Sequence, residues 1–251
     1  MRTLGVDLAA QPSATGVCEI VWDGRGGIVR VIDGRHTDER LVELMRKADK
    51  VGVDVPFGWP EPFVDALVAH RDGQGWPGCG RDPDEHRRQL RLRRTDEIVR
   101  ETCGRDPMSV SCNLLGITAM RWAGLEDRLR ADRPVDRSGL GWAVEVYPAA
   151  ALRQWGLRDR GYKKGKNRTV LEALVSTLVR EAGAGLRFAG GAEAALRADD
   201  AFDALVASLV ARAAHLGLTT APEPPDSTRA RTEGWIHVPT CGLRELLDAR
   251  G

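Results

Sequence analysis

Residues 50–56 read KVGVDVP, and the aspartate inside that apolar run decides how the chain is read. Val51, Val53 and Val55 fall on one face of a strand, Gly52 and Asp54 on the other. A lone carboxylate is costly to bury, so Asp54 needs water, a partner or a metal. The pattern occurs twice more. LGVDL (4–8) alternates Leu4, Val6 and Leu8 with Gly5 and Asp7. WAVEV (142–146) alternates Trp142, Val144 and Val146 with Ala143 and Glu145. Each stretch has a bulky apolar face, then a small residue and an acid opposite it.

Outward from these pentads, residues 2–8, 14–22 and 28–33 have strand character. DGRGG (23–27) supplies the turn of a meander. DERLVELMRKA (38–48) has helical spacing and leads into KVGVDVP. A strand–helix–strand step favours a parallel pair with a right-handed crossover. Residues 57–140 differ in character. GWPEPF and GQGWPGCGRDPDE are rich in Pro and Gly, 87–104 is a basic helical run, and 113–131 is amphipathic. This stretch is expected to be a mainly helical insertion within a single domain, 1–251. WAVEVYP forms the fifth strand. A short helix (149–155), a GYKKGKN loop (161–167) and a helix over 168–182 follow. The clearest helix is DDAFDALVASLVARAAHLG (199–217), with a stripe of Phe202, Leu205, Val206, Leu209, Val210 and Ala213. EGWIHVP (233–239) reads as a short extended piece and GLRELLDA as a closing helix.

Composition narrows the function classes. The chain has 251 residues, 42% hydrophobic and 29% charged, with a formal net charge of +1. Overall charge points to neither nucleic acid nor membrane, so a nucleic-acid surface would be a local patch. Asp7 interrupts any apolar run at the N-terminus, which does not read as a signal peptide. No stretch approaches the roughly 18 apolar residues of a membrane span. The five cysteines are odd in number and scattered, with no CxxC pair. Reduced thiols in a cytoplasm are expected. Cys79 and His86 have a spacing too loose for a zinc site. GxGxxG, GxxxxGK[ST] and GxSxG are absent.

The acids carry the chemistry. If strands one, four and five run parallel, Asp7, Asp54 and Glu145 end them on one face and one edge of the sheet, where sites form in open α/β folds. On the last long helix Asp200 and Asp203 are i, i+3 neighbours. Asp203 lies beside Val206 and Val210 and should lean towards the sheet. Converging carboxylates repel one another, and a hard divalent cation relieves this. Oxygen-only ligands suit Mg²⁺ or Mn²⁺. The expected catalytic set is therefore Asp7, Asp54, Glu145, Asp200 and Asp203. Asp7, Asp54, Asp200 and Asp203 would hold metal for phosphodiester hydrolysis. Simpler roles exist for several of these acids. Asp54 could cap a loop, Asp199 or Asp200 could cap the helix, and Glu145 could pair with an arginine of the insertion. Arg93 and Arg94 of the basic helix, with Lys163, Lys164 and Lys166 of the GYKKGKN loop, are candidates to hold flanking phosphates. Surface placement of both groups is the alternative. Trp59, Trp76 and Trp235 could stack on bases or pack the insertion onto the core.

The element order is similar to that of ribonuclease H-like folds. It implies a mixed five-stranded α/β sheet in order 3-2-1-4-5 with helices on both faces. GVDLAAQPSATG (5–16), GVDVPFGWP (52–60), LRRTDEIVRE (92–101), VEVYPAAAL (144–152), YKKGK (162–166), DDAFDAL (199–205) and EGWIHVP (233–239) together resemble domain-of-unknown-function family 429, regarded as predicted nucleases of that fold. The last helix is also similar to that of Holliday-junction resolvases, whose paired metal-binding positions would fall here on Asp200 and Asp203. The resemblance implies a metal-dependent nuclease acting on DNA or RNA. A homodimer would suit a junction-cutting enzyme. Two alternatives stand beside this. LGVDLAAQPSATGV resembles the phosphate-binding hairpin of actin-like ATPases and sugar kinases, but the second hairpin and adenosine pocket those need are missing. A non-catalytic binding module with a decayed site is the other, and the intact acid set argues against it.

Overall fold

The computed structural model describes residues 1–249 apart from 77, 79, 81 and 164–166. β1 (Arg2–Asp7) pairs antiparallel with β2 (Gly16–Asp23), and β2 with β3 (Gly26–Val31), closing the expected meander. The helix α1 (Asp38–Lys47) is capped by Thr37, whose hydroxyl accepts from Arg40 N. It returns the chain to β4 (Lys50–Asp54), parallel to β1. The insertion folds as α2 (Glu61–Arg71), α3 (Pro83–Arg91), α4 (Arg94–Cys103) and α5 (Leu115–Leu129). β5 (Ala143–Glu145) adds parallel to β4. Then come α6 (Pro148–Gln154), α7 (Arg168–Ala182), β6 (Leu186–Phe188), α8 (Ala192–Ala195), α9 (Asp199–His215), α10 (Asp226–Glu233) and α11 (Leu243–Asp248).

The sheet order is β5-β4-β1-β2-β3-β6. Its first five positions have the expected order, but the sheet has six strands rather than five. β6 is three residues long and lies parallel to β3. So short a segment, RF after a leucine, has no alternation to reveal it. The basic run 87–104 is two helices, broken at Leu92–Arg93. EGWIHVP contributes only isolated bridges, Glu145 to Ile236 and Thr219 to Pro239. No helix among the described residues is long and apolar enough to cross a membrane.

Two apolar layers sandwich the sheet. Leu4, Val6, Val51 and Val53 pack on one face against Leu41 and Met45 of α1 and Trp122 and Leu125 of α5. Cys18, Ile20 and Val144 pack on the other against α9, with α6, α7 and α11 covering it. The consequence for α9 is burial all round: every residue from Ala201 to Ala213 is buried.

The glycines of the two GVD pentads explain how α9 lies so close. Gly5 and Gly52 are register partners on β1 and β4, and both face the helix. A methyl on Gly5 would stand 1.9 Å from the Ala204 carbonyl oxygen, and one on Gly52 would stand 2.2 Å from that of Ala207. Gly16 on β2 meets the Asp200 carbonyl in the same way at 2.2 Å. The helix backbone therefore rests directly on the sheet backbone. Deeper in, the Thr3 and Ser208 hydroxyls share a 2.8 Å hydrogen bond, and Trp22 Nε1 donates to Thr3 Oγ1 at 2.9 Å. Because backbone cannot rotate aside, Gly5→Ala is expected to cost about 2–3 kcal/mol, at the upper end of overpacking losses. Urea unfolding measures it, and a loss within about 0.5 kcal/mol would mean the helix can lift freely.

Candidate metal centre

Asp7 and Asp54 are the last residues of β1 and β4 and are direct register partners. Alternation puts both on the face that carries α9. Asp203 lies one turn into α9 and is fully buried. Since α9 is seated on Gly5 and Gly52, Asp203 reaches the other two acids. One carboxylate oxygen from each of Asp7, Asp54 and Asp203 lies within 4.8 Å of the others.

Two neighbours from the loop after α6 hold Asp203. Tyr162 Oη donates to its Oδ1 at 2.8 Å, and Lys163 Nζ stands 2.5 Å from its Oδ2. Tyr162 is buried edge-on to Phe202. The loop after β1 is pinned by Arg121 of α5, which donates to Ala9 O at 2.6 Å, Thr15 Oγ1 at 2.8 Å and His36 O at 2.7 Å.

Burial raises all three acids, and neighbouring carboxylates add to it. Burial, then the charges of Asp54 and Asp203, hold Asp7 well above the usual carboxylate range. Asp54 is pushed up to about 7, by burial first, with Lys163 opposing and Asp203 adding. Burial also raises Asp203, against the pull of Lys163 and Tyr162. Burial disfavours the Lys163 ammonium, yet the three carboxylates hold it charged, above the ordinary lysine value. A raised carboxyl destabilises the fold above its folded value and ceases to do so below its unfolded one. The metal-free protein is therefore expected to gain stability as pH falls from about 8 to about 5.5, opposite to the usual acid response. Thermal unfolding in EDTA across that window checks this. Excess Mn²⁺ should flatten the slope.

Glu145 is placed differently from the expectation. Val53, not Asp54, is its register partner. A one-residue offset turns a side chain to the opposite face, so Glu145 shares the edge but not the face of Asp7 and Asp54. There it meets Arg93: Nη2 stands 2.7 Å from Oε1, and Nη1 donates to Oε2 at 2.8 Å. Phe57 N donates to the same Oε2 at 2.9 Å. Arg93 also binds Asp96 at 2.9 Å, and all three side chains are buried. The pairing with an arginine of the insertion is thus what forms. Arg93 is no free phosphate ligand, because the two buried acids need its charge. Arg94 is also engaged, with Asp226 at 3.1 Å, while its backbone N donates to Glu233 Oε2 at 2.9 Å.

Asp200 stands apart from the group as well. Its Oδ1 accepts from Ala201 N at 2.8 Å, and the residue lines a neighbouring cavity. Lys164, Lys166 and Cys79 lie outside the described residues. Trp235 is buried, and Trp76 stacks edge-on to His70 and His86. Sequence reasoning passed over Tyr162 and Glu233, and grouped Asp96 with Arg93 and Arg94 of the basic run rather than as the buried partner of Arg93. For Tyr162 the available signal was an aromatic next to the lysines in GYKKG.

Asp7 and Asp54 line a cleft of about 190 Å³ together with Lys163, Met108, Leu115 and Tyr147, and Asp203 lies buried behind them. Arg93 and Glu145 also line it. Three clustered carboxylates with one ammonium are a hard, oxygen-rich, electron-rich donor set, the kind that fits a divalent cation. No curated protein and no solved structure matches the chain. One family model does, over residues 5–227, and it takes in both GVD strands and the aspartates of α9. The chain therefore belongs to the family described as Protein of unknown function (DUF429).

Proposed function

We propose that the protein is a divalent-metal-dependent nuclease of ribonuclease H-like fold that hydrolyses phosphodiester bonds of nucleic acid. The observation that carries this is the convergence of Asp7, Asp54 and Asp203, from two strands and a helix, within 4.8 Å. The inner strand order β5-β4-β1-β2-β3 supports the fold assignment. Mg²⁺ or Mn²⁺ bound by these residues would stabilise charge on the attacking and leaving oxygens of the displacement. The protein supplies the rest. Asp7 and Asp54 present oxygens from strand ends that the sheet holds rigid. Tyr162 fixes one oxygen of Asp203 and so orients the other towards the cluster. Lys163 adds positive charge at the cleft side, where a phosphate oxyanion would lie. Met108 and Leu115 give the cleft an apolar surface for bases. Glu145, held by Arg93, acts through the backbone: it fixes Phe57 N and with it the turn that follows Asp54.

The test is cleavage of branched, single-stranded and duplex DNA and RNA with Mn²⁺, Mg²⁺ or EDTA. Cleavage with either metal and none in EDTA is expected. Failure to cut any substrate with either metal would remove the proposal.

A further inference from the structure

Two surfaces adjoin the metal cleft, and the first is basic. α4 ends on Gly104, whose left-handed backbone (φ 59°) turns the chain out of the helix. Arg105 then lies over the ring of Tyr147, a residue of the cleft, at 5.8 Å from its centroid, and its Nη2 donates to the Tyr147 hydroxyl at 3.4 Å. Asp159, in the loop between α6 and Lys163, has Oδ2 3.5 Å from both Arg105 Nε and Arg153 Nη1. Burial alternates along that loop: Leu157 and Asp159 are half-buried, while Arg158 and Arg160 are exposed. Among the described residues, neither Arg158 nor Arg160 has an ion-pair partner. Four arginines thus meet one acid. Arg160 comes three residues before Lys163, which lines the cleft, so their Cα atoms are within about 11 Å of each other.

The second surface is apolar. Met108 and Leu115 line the cleft. Met108 is more than half exposed, and so are Leu114, Ile117 and Met120. Leu114 is the N-cap of α5, and Ile117 and Met120 follow it at steps of three, so the three fall along one side of the helix. The face that α5 buries is a different one, Ala119, Trp122, Leu125 and Leu129. A surface helix whose apolar stripe is already packed should be polar outside. The first turns of α5 instead carry large apolar residues on both sides. Exposed apolar residues gathered beside a cleft mark a surface that is covered in use.

The two surfaces ask for one ligand that is anionic along its length and apolar beside it. A duplex has phosphates for the arginines, but its bases are hidden in the stack and nothing in it covers leucine and isoleucine. A second copy of the chain would cover the apolar residues and leave the arginines unanswered. An unpaired strand presents both phosphates and bare base faces. We propose that the rim of the cleft binds a single, unpaired nucleic-acid strand. Its phosphates lie along Arg105, Arg153, Arg158 and Arg160, and its bases rest on Met108, Leu114, Ile117 and Met120. Both groups lie outside the aspartate cluster, so the strand binds without a metal. That this strand is also the substrate rests on the nuclease reading; its binding does not.

The experiment is fluorescence anisotropy of the full chain in EDTA with a labelled mixed-sequence strand of about ten nucleotides, as DNA and as RNA, and with the blunt DNA duplex of the same sequence. Charge alone favours the duplex, whose phosphates are denser. At least one of the strands is nonetheless expected to bind about tenfold or more tightly than the duplex, the scale of one or two base contacts. Arg158→Ala with Arg160→Ala should weaken binding and flatten the slope of log K against log salt by about 1.4, the share of two phosphates on a single strand. Leu114→Ser with Ile117→Ser should lower single-strand affinity about fivefold or more and leave that slope unchanged. All four positions are exposed, so the circular dichroism spectrum should stay the same. Duplex binding at least as tight as both strands, no strand binding, an unchanged slope in the arginine variant or an unchanged affinity in the serine variant would overturn the assignment. So would a dimer, seen by sedimentation, that dissociates in the serine variant, since the apolar face would then belong to a second copy of the chain. No cleavage is read, so a protein that binds strands in this way and cuts none fails the metal-dependent assay alone.

Discussion

Asp7→Asn is expected to lower metal-dependent cleavage by about a thousandfold or more, as loss of an electrostatic catalytic group does, while making the metal-free protein more stable. The second effect distinguishes a metal centre from a structural cluster. Asp7 pairs across the sheet with Asp54 and has a carboxylate oxygen within 4.8 Å of one of Asp203, and burial and those charges raise it. Each pH unit between folded and unfolded values is worth about 1.4 kcal/mol. Asp54, raised from 3.8 to about 7, shows the scale: a cost on the order of a few kcal/mol at neutral pH without a cation. Asparagine keeps the shape and removes one charge. At pH 7.5 in EDTA the variant should melt about 5 °C or more above the parent, since about 1 kcal/mol moves a chain of this size by 2–4 °C. The gap should close towards pH 5 as the parent protonates, and reverse in Mn²⁺, which stabilises only the form that binds it. Unchanged cleavage by the variant would defeat the nuclease reading. A lower melting point in EDTA would show that Lys163 already compensates the cluster.

Arg93→Met should give the largest loss of stability of any single change considered, about 3–5 kcal/mol, the range for removing one partner of a buried ion pair. The guanidinium lies between Glu145 and Asp96, all three buried, and it also donates to Glu233 O at 3.1 Å. Methionine fills most of the volume but leaves two carboxylates in a dry site. Adding Glu145→Gln should recover part of the loss, because the two sites share a partner. Denaturant unfolding of the single and double variants reads both. A loss under about 1 kcal/mol would mean that water reaches the pair.

The pattern of legibility follows from what one strand can and cannot encode. LGVDL and KVGVDVP show apolar alternation, a small residue and an acid, and those features bring Asp7 and Asp54 together beneath a closely seated helix. The stripe of 199–217 similarly foretells a helix against the sheet with Asp203 turned inward. WAVEV has the same internal pattern, yet its acid faces the other way. The face a strand presents depends on its register with a neighbour, here Val53 against Glu145, and no single segment contains that information. The five arginines between 87 and 94 look alike in sequence. Only the fold shows that Arg93, at the break between α3 and α4, enters the interior. A faint local sign was present: Asp96 sits three residues on, and its Oδ2 accepts from Arg93 N at 3.0 Å.

The seating of α9 on Gly5, Gly16 and Gly52 has a mechanical consequence. Where main chain touches main chain there are no rotamers to populate and no side chains to reshuffle, so the joint has almost no soft mode. Sliding the helix along the sheet would drive carbonyl oxygens over the glycine α-carbons. The spacing between the acid on the helix and those on the strands is thereby indexed like a key in a slot. Warming the protein should loosen its outer helices well before it changes that spacing.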